Sequence, residues 1–267
     1  MQLYHRKFGS GKPLIILHGL YGSSDNWLSI ARTLAADFEV YLIDQRNHGK
    51  SPHHDRHDYE VMADDLKEFM DSHHLDKVIL AGHSMGGKTA MCFARDHSSR
   101  IEKLIVIDIA PKSYKELYRK EALNHYVILK AMQNVDIASA LSRRDIDRML
   151  ADDIPVKRIR SFLMKNIERT NDNKYSWTLN LDVLLKELDN IMDGMNHKCF
   201  DPARPSIDKP VLFIRGGESP YIMDKDMEFI QQIFPNAQLR TIPDAGHWLH
   251  AEEPEMFIEL VSDFILR

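Results

Sequence analysis

The most informative part of the chain is Val78-Ile79-Leu80-Ala81-Gly82-His83-Ser84-Met85-Gly86-Gly87-Lys88-Thr89-Ala90-Met91. An apolar run rich in branched residues leads into Gly-x-Ser-x-Gly and then into a helix-forming run, which predicts a strand, a sharp turn and a helix. Glycine is needed at positions 82 and 86 because a serine on so tight a turn leaves no room for larger neighbours. The turn would expose the Ser84 hydroxyl and aim the Met85 N–H at the oxygen of any carbonyl that Ser84 attacks.

Strand-like and helix-like segments alternate on both sides of this motif. Residues 14–17 and 38–43 are apolar runs typical of strands buried on both faces, and residues 3–8 alternate like an antiparallel edge strand. Residues 104–107 form a further apolar run, and the strands are separated by helical patterns. This alternation predicts an α/β protein with a mostly parallel, doubly wound sheet.

The alternation stops after residue 110 and resumes at residue 211. We therefore predict a core formed by residues 1–110 and 209–267, with residues 111–208 inserted as a helical cap. Such a cap would lie above the carboxyl ends of the strands, where sheets of this kind bind ligands. The helices predicted within the cap cover residues 114–132, 145–150, 156–167 and 179–192. Those after it are a helix at 223–234, a strand at 238–242 and a helix at 255–266.

Composition limits the class of protein and its partners. The chain has 267 residues, of which 43% are hydrophobic and 28% are charged, so it can bury a sizeable core. Its formal net charge of -5 argues against a nucleic-acid partner, and no apolar run is long enough to span a membrane. The first residues lack the pattern of a secretory signal. Cys92 and Cys199 form no recognisable framework, which favours a reducing cytoplasm. The oligomeric state cannot be read from the sequence.

A serine hydroxyl needs a neighbouring base to act as a nucleophile at neutral pH. Among fourteen histidines, His247 is best placed, because it follows a glycine in the loop after the final predicted strand. His250 is expected to pack or cap, and the side chain of His83 is expected to point away from the site of attack.

The base in turn needs an acid that holds it in one tautomer, in the chain order serine, acid, histidine. Asp108 meets this requirement, because it ends the strand predicted to lie next to that of Ser84. A second N–H donor for the developing oxyanion is expected from Leu20, with Tyr21 as the alternative.

The chain resembles the α/β-hydrolase fold family over nearly its whole length. The resemblance rests on His18-Gly19, on Gly82-His83-Ser84-Met85-Gly86-Gly87 and on Gly246-His247, together with Asp44-x-Arg46-x-x-Gly49-x-Ser51. Within the family it is most similar to the YbfF-type acyl esterase and thioesterase group and its mitochondrial relatives. This resemblance implies hydrolysis of short- to medium-chain acyl esters, with acyl-CoA thioesters as a further class of substrate. It implies a small-molecule substrate, and no metal ion or organic cofactor is expected.

One position departs from the family pattern. Many members carry the acid in the loop after the strand at 211–214, three residues past a glycine, where this chain has Ser219. We therefore favour Asp108 as the acid, a position that similar esterases use, and keep Glu218 and Asp182 as alternatives.

For the other polar residues, we expect structural rather than catalytic roles. Asp44 and Arg46 are expected to form a buried ion pair, and the His/Asp-rich loop at 53–58 has no repeated metal-ligand spacing. Basic residues on the cap are expected to be a solvated face, part of which could bind the phosphates of a CoA substrate. They are Lys112, Lys115, Arg119, Arg143, Arg144, Arg148, Lys157, Arg158 and Arg160.

The same motifs leave other functions open. A C–C bond hydrolase or a lyase of quinone biosynthesis could use the same fold and the same three side chains, and so could a non-catalytic ligand receptor. Dehalogenases and epoxide hydrolases of this fold are disfavoured, because they need a carboxylate where this chain has Ser84.

Overall fold

The computed structural model describes residues 1–116, 125–193, 199 and 207–267. Seven strands form one sheet in the order β1-β3-β2-β4-β5-β8-β9, and only the edge strand β1 runs antiparallel to its neighbour. This confirms the prediction of an α/β fold with a mostly parallel sheet. The strands are β1 His5–Phe8, β2 Lys12–Leu17, β3 Phe38–Ile43, β4 Val78–His83, β5 Ile101–Ile107, β6 Ile167–Arg169, β7 Tyr175–Trp177, β8 Val211–Gly216 and β9 Ala237–Ile242.

Helices cover both faces of the sheet and make up most of the described part of the segment between β5 and β8. The α-helices are α1 Leu28–Leu34, α2 Tyr59–Ser72, α3 Met85–Asp96, α4 His125–Asn134, α5 Arg143–Ala151, α6 Lys157–Leu163, α7 Leu181–Lys186, α8 Leu188–Asp193, α9 Asp226–Ile233, α10 Leu249–Glu252 and α11 Pro254–Leu266. Short 3-10 helices cover Ser24–Trp27, Ser98–Arg100, Ile137–Ser139 and Met164–Asn166. In the described ranges, no helix combines the length and apolar character needed to cross a bilayer.

The sheet separates two apolar cores. On one face, α1 and α11 pack against each other and bury residues such as Trp27 and Phe257. On the other face, α2, α3 and α9 pack on the sheet, and this core continues into the helices that follow β5. All six residues of β4 are buried, which explains why its sequence is a continuous apolar run rather than an alternating one. The two cores hold the carboxyl ends of β4 and β5 rigidly side by side.

The described part of the segment between β5 and β8 is largely helical, and we propose that residues 111–208 form the cap. The predicted helices at 145–150, 156–167 and 179–192 correspond to α5, α6 and the pair α7 and α8. The helix predicted at 114–132 lies partly in residues 117–124, outside the described residues. The expectation of helices alone was wrong, because β6 and β7 pair as a short antiparallel hairpin after α6. Strands of three residues are too short to show a periodic pattern.

The two cysteines are joined in a disulfide. Cys92 on α3 and Cys199 have Cα atoms 4.7 Å apart, and both are buried. The two cysteines are 107 residues apart in the chain, and no sequence pattern indicates that they pair. The interpretation that the two cysteines form no framework was therefore wrong, and the argument for a cytoplasmic location that rested on it no longer holds.

Candidate active site

Ser84 lies on a strained turn between β4 and α3. Its backbone has φ 52° and ψ −118°, a conformation that residues with a side chain rarely adopt. The Ser84 N–H donates to the Ile107 carbonyl of the neighbouring strand at 2.9 Å, which anchors the turn to the sheet. A Cβ on Gly82 would collide with the Gly86 backbone, and one on Gly86 would reach 2.5 Å from the Leu17 carbonyl oxygen. These contacts explain the two glycines of the motif.

His247 and Asp108 form a hydrogen-bonded pair at the same edge of the sheet. The Nδ1–H of His247 donates to Asp108 Oδ2 at 2.8 Å. Asp108 directly follows β5, is 0% exposed and has φ 50°. The His247 ring stacks on the ring of Tyr221 with centroids 3.9 Å apart, which fixes its plane. Residues far apart in the chain thus meet because β5 lies between β4 and β8, and β9 returns the chain to the same edge.

The Asp108 carboxylate has two further partners. The backbone N–H of Gly216 donates to Oδ1 at 3.1 Å, and the Ser219 hydroxyl donates to Oδ2. Ser219 is the residue that departs from the family pattern described from the sequence, and its contact with Asp108 was not predicted. The short side chain at that position fits because the carboxylate enters from β5 instead. Ser219 therefore belongs to the hydrogen-bond network that holds the carboxylate.

The other acidic candidates lie elsewhere. Asp182 on α7 accepts a hydrogen bond from Gln133 Nε2 at 2.6 Å at an exposed position. Glu218 is exposed, and its N–H donates to the Ala245 carbonyl at 3.0 Å. Among the described acidic residues, Asp108 is the one with a hydrogen bond to His247.

A four-residue turn brings the loop that contains Leu20 next to the serine. The Gly22 N–H donates to the Gly19 carbonyl at 2.9 Å, and a Cβ on Gly19 would lie 3.1 Å from Ser84 Cβ. The Tyr21 N–H donates to His48 Nε2 at 3.3 Å, so the alternative donor is already engaged. Within the described residues, the N–H groups of Leu20 and Met85 have no acceptor. Both are therefore available to an oxygen bound next to Ser84.

Histidines flank the site without joining the pair of His247 and Asp108. His83 Nε2–H donates to the His247 backbone carbonyl at 2.8 Å, and His83 lines the same cleft as Ser84, so the expectation that its side chain points away from the site was wrong. His250 stacks on Trp27 at 4.0 Å, as expected for a packing residue. His57 Nε2–H lies 3.3 Å from the sulfur of Met85. Burial is the main cause that lowers the pKa of His57 and of His250 to about 3. These rings are therefore neutral around pH 7.

The expected ion pair between Asp44 and Arg46 was wrong. Arg46 instead forms a bidentate pair with Asp65 on α2, at 2.6 and 2.8 Å. Asp44 accepts hydrogen bonds from the backbone N–H groups of Ser24 at 2.6 Å and Lys50 at 2.9 Å. Two adjacent loops thereby share one carboxylate, a tertiary arrangement that charge spacing alone does not encode.

Lys88 is buried one helical turn after the candidate nucleophile and is 1% exposed. Its ammonium donates to the carbonyls of Met192 at 3.3 Å and Asp193 at 3.2 Å, at the end of α8. It also lies over the rings of Tyr59, at 5.6 Å, and Tyr114, at 4.9 Å. Burial lowers the pKa of Lys88 to about 7, although the Asp193 carboxylate opposes the shift. No pattern in the sequence indicates this contact between α3 and the proposed cap.

A cleft of about 800 Å³, including its open mouth, lies above Ser84 between the sheet and the proposed cap. Its polar groups include Ser84, His247, Lys88 and the cap histidine His125. Most of its wall is apolar. The aliphatic and aromatic residues from the proposed cap and the histidine loop include Tyr114, Ile128, Ile159, Phe162, Leu163, Ile191, Met192 and Trp248. The cleft therefore suits an apolar group attached to a polar reacting centre.

The fold and this geometry agree with comparisons to known proteins. A sequence model described as the alpha/beta hydrolase fold matches residues 12–254. The chain therefore belongs to the alpha/beta hydrolase fold family. Within the family, the chain is of the YbfF type, which agrees with the resemblance described from its sequence.

Several relatives carry names that describe ester chemistry. The chain is 33% identical over 256 residues to esterase YbfF of Escherichia coli, covering 96% of this chain and 94% of that protein. It is 36% identical over 263 residues to the sn-1-specific diacylglycerol lipase ABHD11 of Danio rerio, covering 96% and 79% of the two chains. A solved structure titled marine microorganism esterase is 48% identical, with a TM-score of 0.93 over 98% of this chain and 99% of that one.

Proposed function

We propose that this protein hydrolyses carboxylic esters through an acyl-enzyme formed on Ser84. The observation that carries the proposal is the 2.8 Å hydrogen bond from His247 Nδ1 to the buried Asp108 carboxylate, in a cleft that Ser84 also lines from a strand-to-helix turn. With Nδ1 protonated, the neutral ring has a lone pair on Nε2 that can accept the serine proton. The esterase and lipase names of the relatives support the same reaction class.

The proposed reaction has two steps. Ser84 Oγ attacks the acyl carbon while His247 accepts its proton, and Asp108 stabilises the imidazolium that forms. The N–H groups of Leu20 and Met85 bind the oxygen that becomes negative in the tetrahedral intermediate. His247 then protonates the departing alcohol. In the second step, His247 removes a proton from water, which attacks the acyl-enzyme and releases the acid. No metal ion or organic cofactor takes part in these steps.

The apolar cleft supports short- to medium-chain acyl esters as substrates. Acyl-CoA thioesters are a weaker proposal, because most of the described basic residues of the proposed cap are already engaged. Lys112, Lys115, Arg148, Arg158 and Arg160 form ion pairs, and Arg143 donates to backbone carbonyls. Arg119 lies outside the described residues. If CoA phosphates bind this face, the KM for an acyl-CoA will rise with ionic strength.

The proposal is tested with a series of p-nitrophenyl esters of increasing acyl length. We expect turnover by the wild-type protein and its loss in the Ser84→Ala and His247→Gln variants, with unchanged thermal unfolding. His53→Gln, at an exposed histidine, serves as the matched control and should remain active. Absence of turnover with every ester would contradict the proposal. Cleavage of a C–C bond substrate alone would favour the other reactions of this fold, and stoichiometric fluorophosphonate labelling without turnover would favour a receptor.

A further inference from the structure

The turn that carries the Leu20 N–H holds a residue in an unfavourable conformation. Tyr21 is the third residue of the turn and has φ 62°, in the left-handed region that favours glycine or asparagine. A bulky residue persists there only when its surroundings hold it. The contacts made by Tyr21 therefore hold the turn to which the Leu20 N–H belongs.

The backbone of Tyr21 is held from two directions. From the core, His48 Nε2 accepts the Tyr21 N–H at 3.3 Å. From the proposed cap, Asn166 Nδ2 donates to the Tyr21 carbonyl at 2.8 Å. The peptide groups on both sides of the Tyr21 Cα are thus fixed by side chains from different parts of the molecule. A second contact from the proposed cap lies at the end of the side chain, where the Tyr21 hydroxyl is 3.1 Å from His125 Nδ1.

Asn166 is itself rigidly placed. It lies at the end of the 3-10 helix that follows α6, immediately before β6, and is 2% exposed. Its amide also donates to the Leu163 carbonyl at 3.2 Å. The backbone carbonyl of Asn166 accepts a hydrogen bond from the Thr178 N–H at 2.9 Å. Thr178 lies just beyond the hairpin formed by β6 and β7. Helix α6 and the hairpin therefore jointly fix the amide that reaches the Tyr21 carbonyl.

We propose that Asn166 is a positioning residue through which the cap sets the geometry of the oxyanion site. When the cap is seated, Asn166 holds the Tyr21 carbonyl, and the turn presents the Leu20 N–H to the oxygen of the bound ester. When the cap moves away, this hold on the turn is released and the Leu20 N–H loses its alignment. The inference rests on the proposed function, because it assigns the Leu20 N–H to the oxyanion.

The expected kinetic effect depends on the stage of the reaction at which the Leu20 hydrogen bond becomes strong. The ester oxygen gains most of its negative charge only in the transition state, so misalignment of the donor weakens the transition state more than the bound ester. Loss of Asn166 should therefore lower kcat and leave KM nearly unchanged. An inhibitor that forms a tetrahedral oxyanion on Ser84 should lose affinity in parallel with kcat.

The test compares Asn166→Ala with Asn180→Ala. Asn180 is a matched control from the proposed cap, because its Nδ2 donates to Asn47 Oδ1 of the core at 3.0 Å and, among the described residues, it has no hydrogen bond to Tyr21. Both variants are assayed with a p-nitrophenyl ester and with an alkyl trifluoromethyl ketone that adds to the serine. Burst titration of p-nitrophenol counts the competent molecules, so that partial unfolding does not mimic a lower kcat.

We expect Asn166→Ala to lower kcat by about 10- to 100-fold, with a parallel loss of ketone affinity. Asn180→Ala should change both by less than about threefold, and Asn166→Gln, which keeps an amide donor, should recover part of kcat. Asn166→Asp keeps the shape without the donor and provides the comparison if the alanine variant folds poorly. Equal effects of Asn166→Ala and Asn180→Ala, or a change in KM alone, would overturn the inference. If the wild-type protein hydrolyses no ester, the proposed function fails instead.

Discussion

At the scale of single residues, the site depends on how Asp108 is held. Its carboxylate is fully buried and accepts hydrogen bonds from His247, from Ser219 and from the Gly216 N–H. An isolated buried carboxylate would be costly, and these three donors compensate for the lost water. Because Ser219 and His247 share the Oδ2 atom, position 219 lies within reach of the histidine.

Asp108→Asn should lower kcat by about three to four orders of magnitude, because the amide favours the wrong tautomer of His247. Adding Ser219→Asp to this variant should recover part of the loss, since the new carboxylate would enter from the neighbouring loop. Steady-state rates with a p-nitrophenyl ester measure both effects. Glu218→Gln is the control and should stay near wild type. A large loss in Glu218→Gln, with activity retained in Asp108→Asn, would assign the acid to Glu218.

At the scale of secondary structure elements, α3 connects the nucleophile turn to the proposed cap. Its first turn follows Ser84, and its next turn carries Lys88, whose ammonium binds two carbonyls at the end of α8. The start of the proposed cap also contacts the end of α8, because the Tyr114 N–H donates to the Met192 carbonyl at 2.9 Å. The start of the proposed cap and the end of α8 therefore meet beside one buried cation. The Cys92–Cys199 disulfide joins α3 to the chain beyond α8.

Lys88→Met should lower the free energy of unfolding by about 1–3 kcal/mol. The substitution keeps a long unbranched side chain but leaves the carbonyls of Met192 and Asp193 without this donor. Urea unfolding followed by circular dichroism measures the change. Lys77→Met, at an exposed lysine, controls for the general effect of removing a charge. A Lys88→Met variant as stable as wild type would contradict the role of Lys88 in joining α3 to α8.

At the scale of the whole molecule, several histidines are buried in the neutral form. Burial is the main cause that lowers the pKa of His57, His125 and His250 to about 3, from an ordinary value of 6.5. Between these values the unfolded chain binds more protons than the folded protein, so stability rises with pH. Their contribution is complete above about pH 6.5 and is lost as the pH falls towards 3.

We expect the free energy of unfolding to decrease as the pH falls below about 6.5, by up to about 1.4 kcal/mol per pH unit for each such histidine. Urea unfolding at a series of pH values measures the slope. His250→Gln removes one of these groups and should reduce the slope, whereas His74→Gln, at an exposed histidine, should leave it unchanged. A slope that is the same in wild type and His250→Gln would contradict the prediction.

The fold was predictable because its strands are apolar runs and its central turn needs two glycines around Ser84. His247 and Asp108 could be chosen because each follows a strand that ends at the same edge of the sheet. The remaining contacts depend on tertiary packing between distant segments. Neither the Ser219 bond to Asp108, nor the Arg46 pair with Asp65, leaves a local pattern in the chain. Side-chain pairs of this kind can be identified only from the three-dimensional structure.

The most direct test of the central claim is the mass of the intact protein during turnover. A p-nitrophenyl ester reaction is quenched with acid in the first turnovers, and the protein is analysed by mass spectrometry and peptide mapping. We predict that one acyl group is attached, that it maps to Ser84, and that the Ser84→Ala variant carries none. Ester turnover without a covalent adduct, or with the acyl group on a residue other than Ser84, would contradict the account.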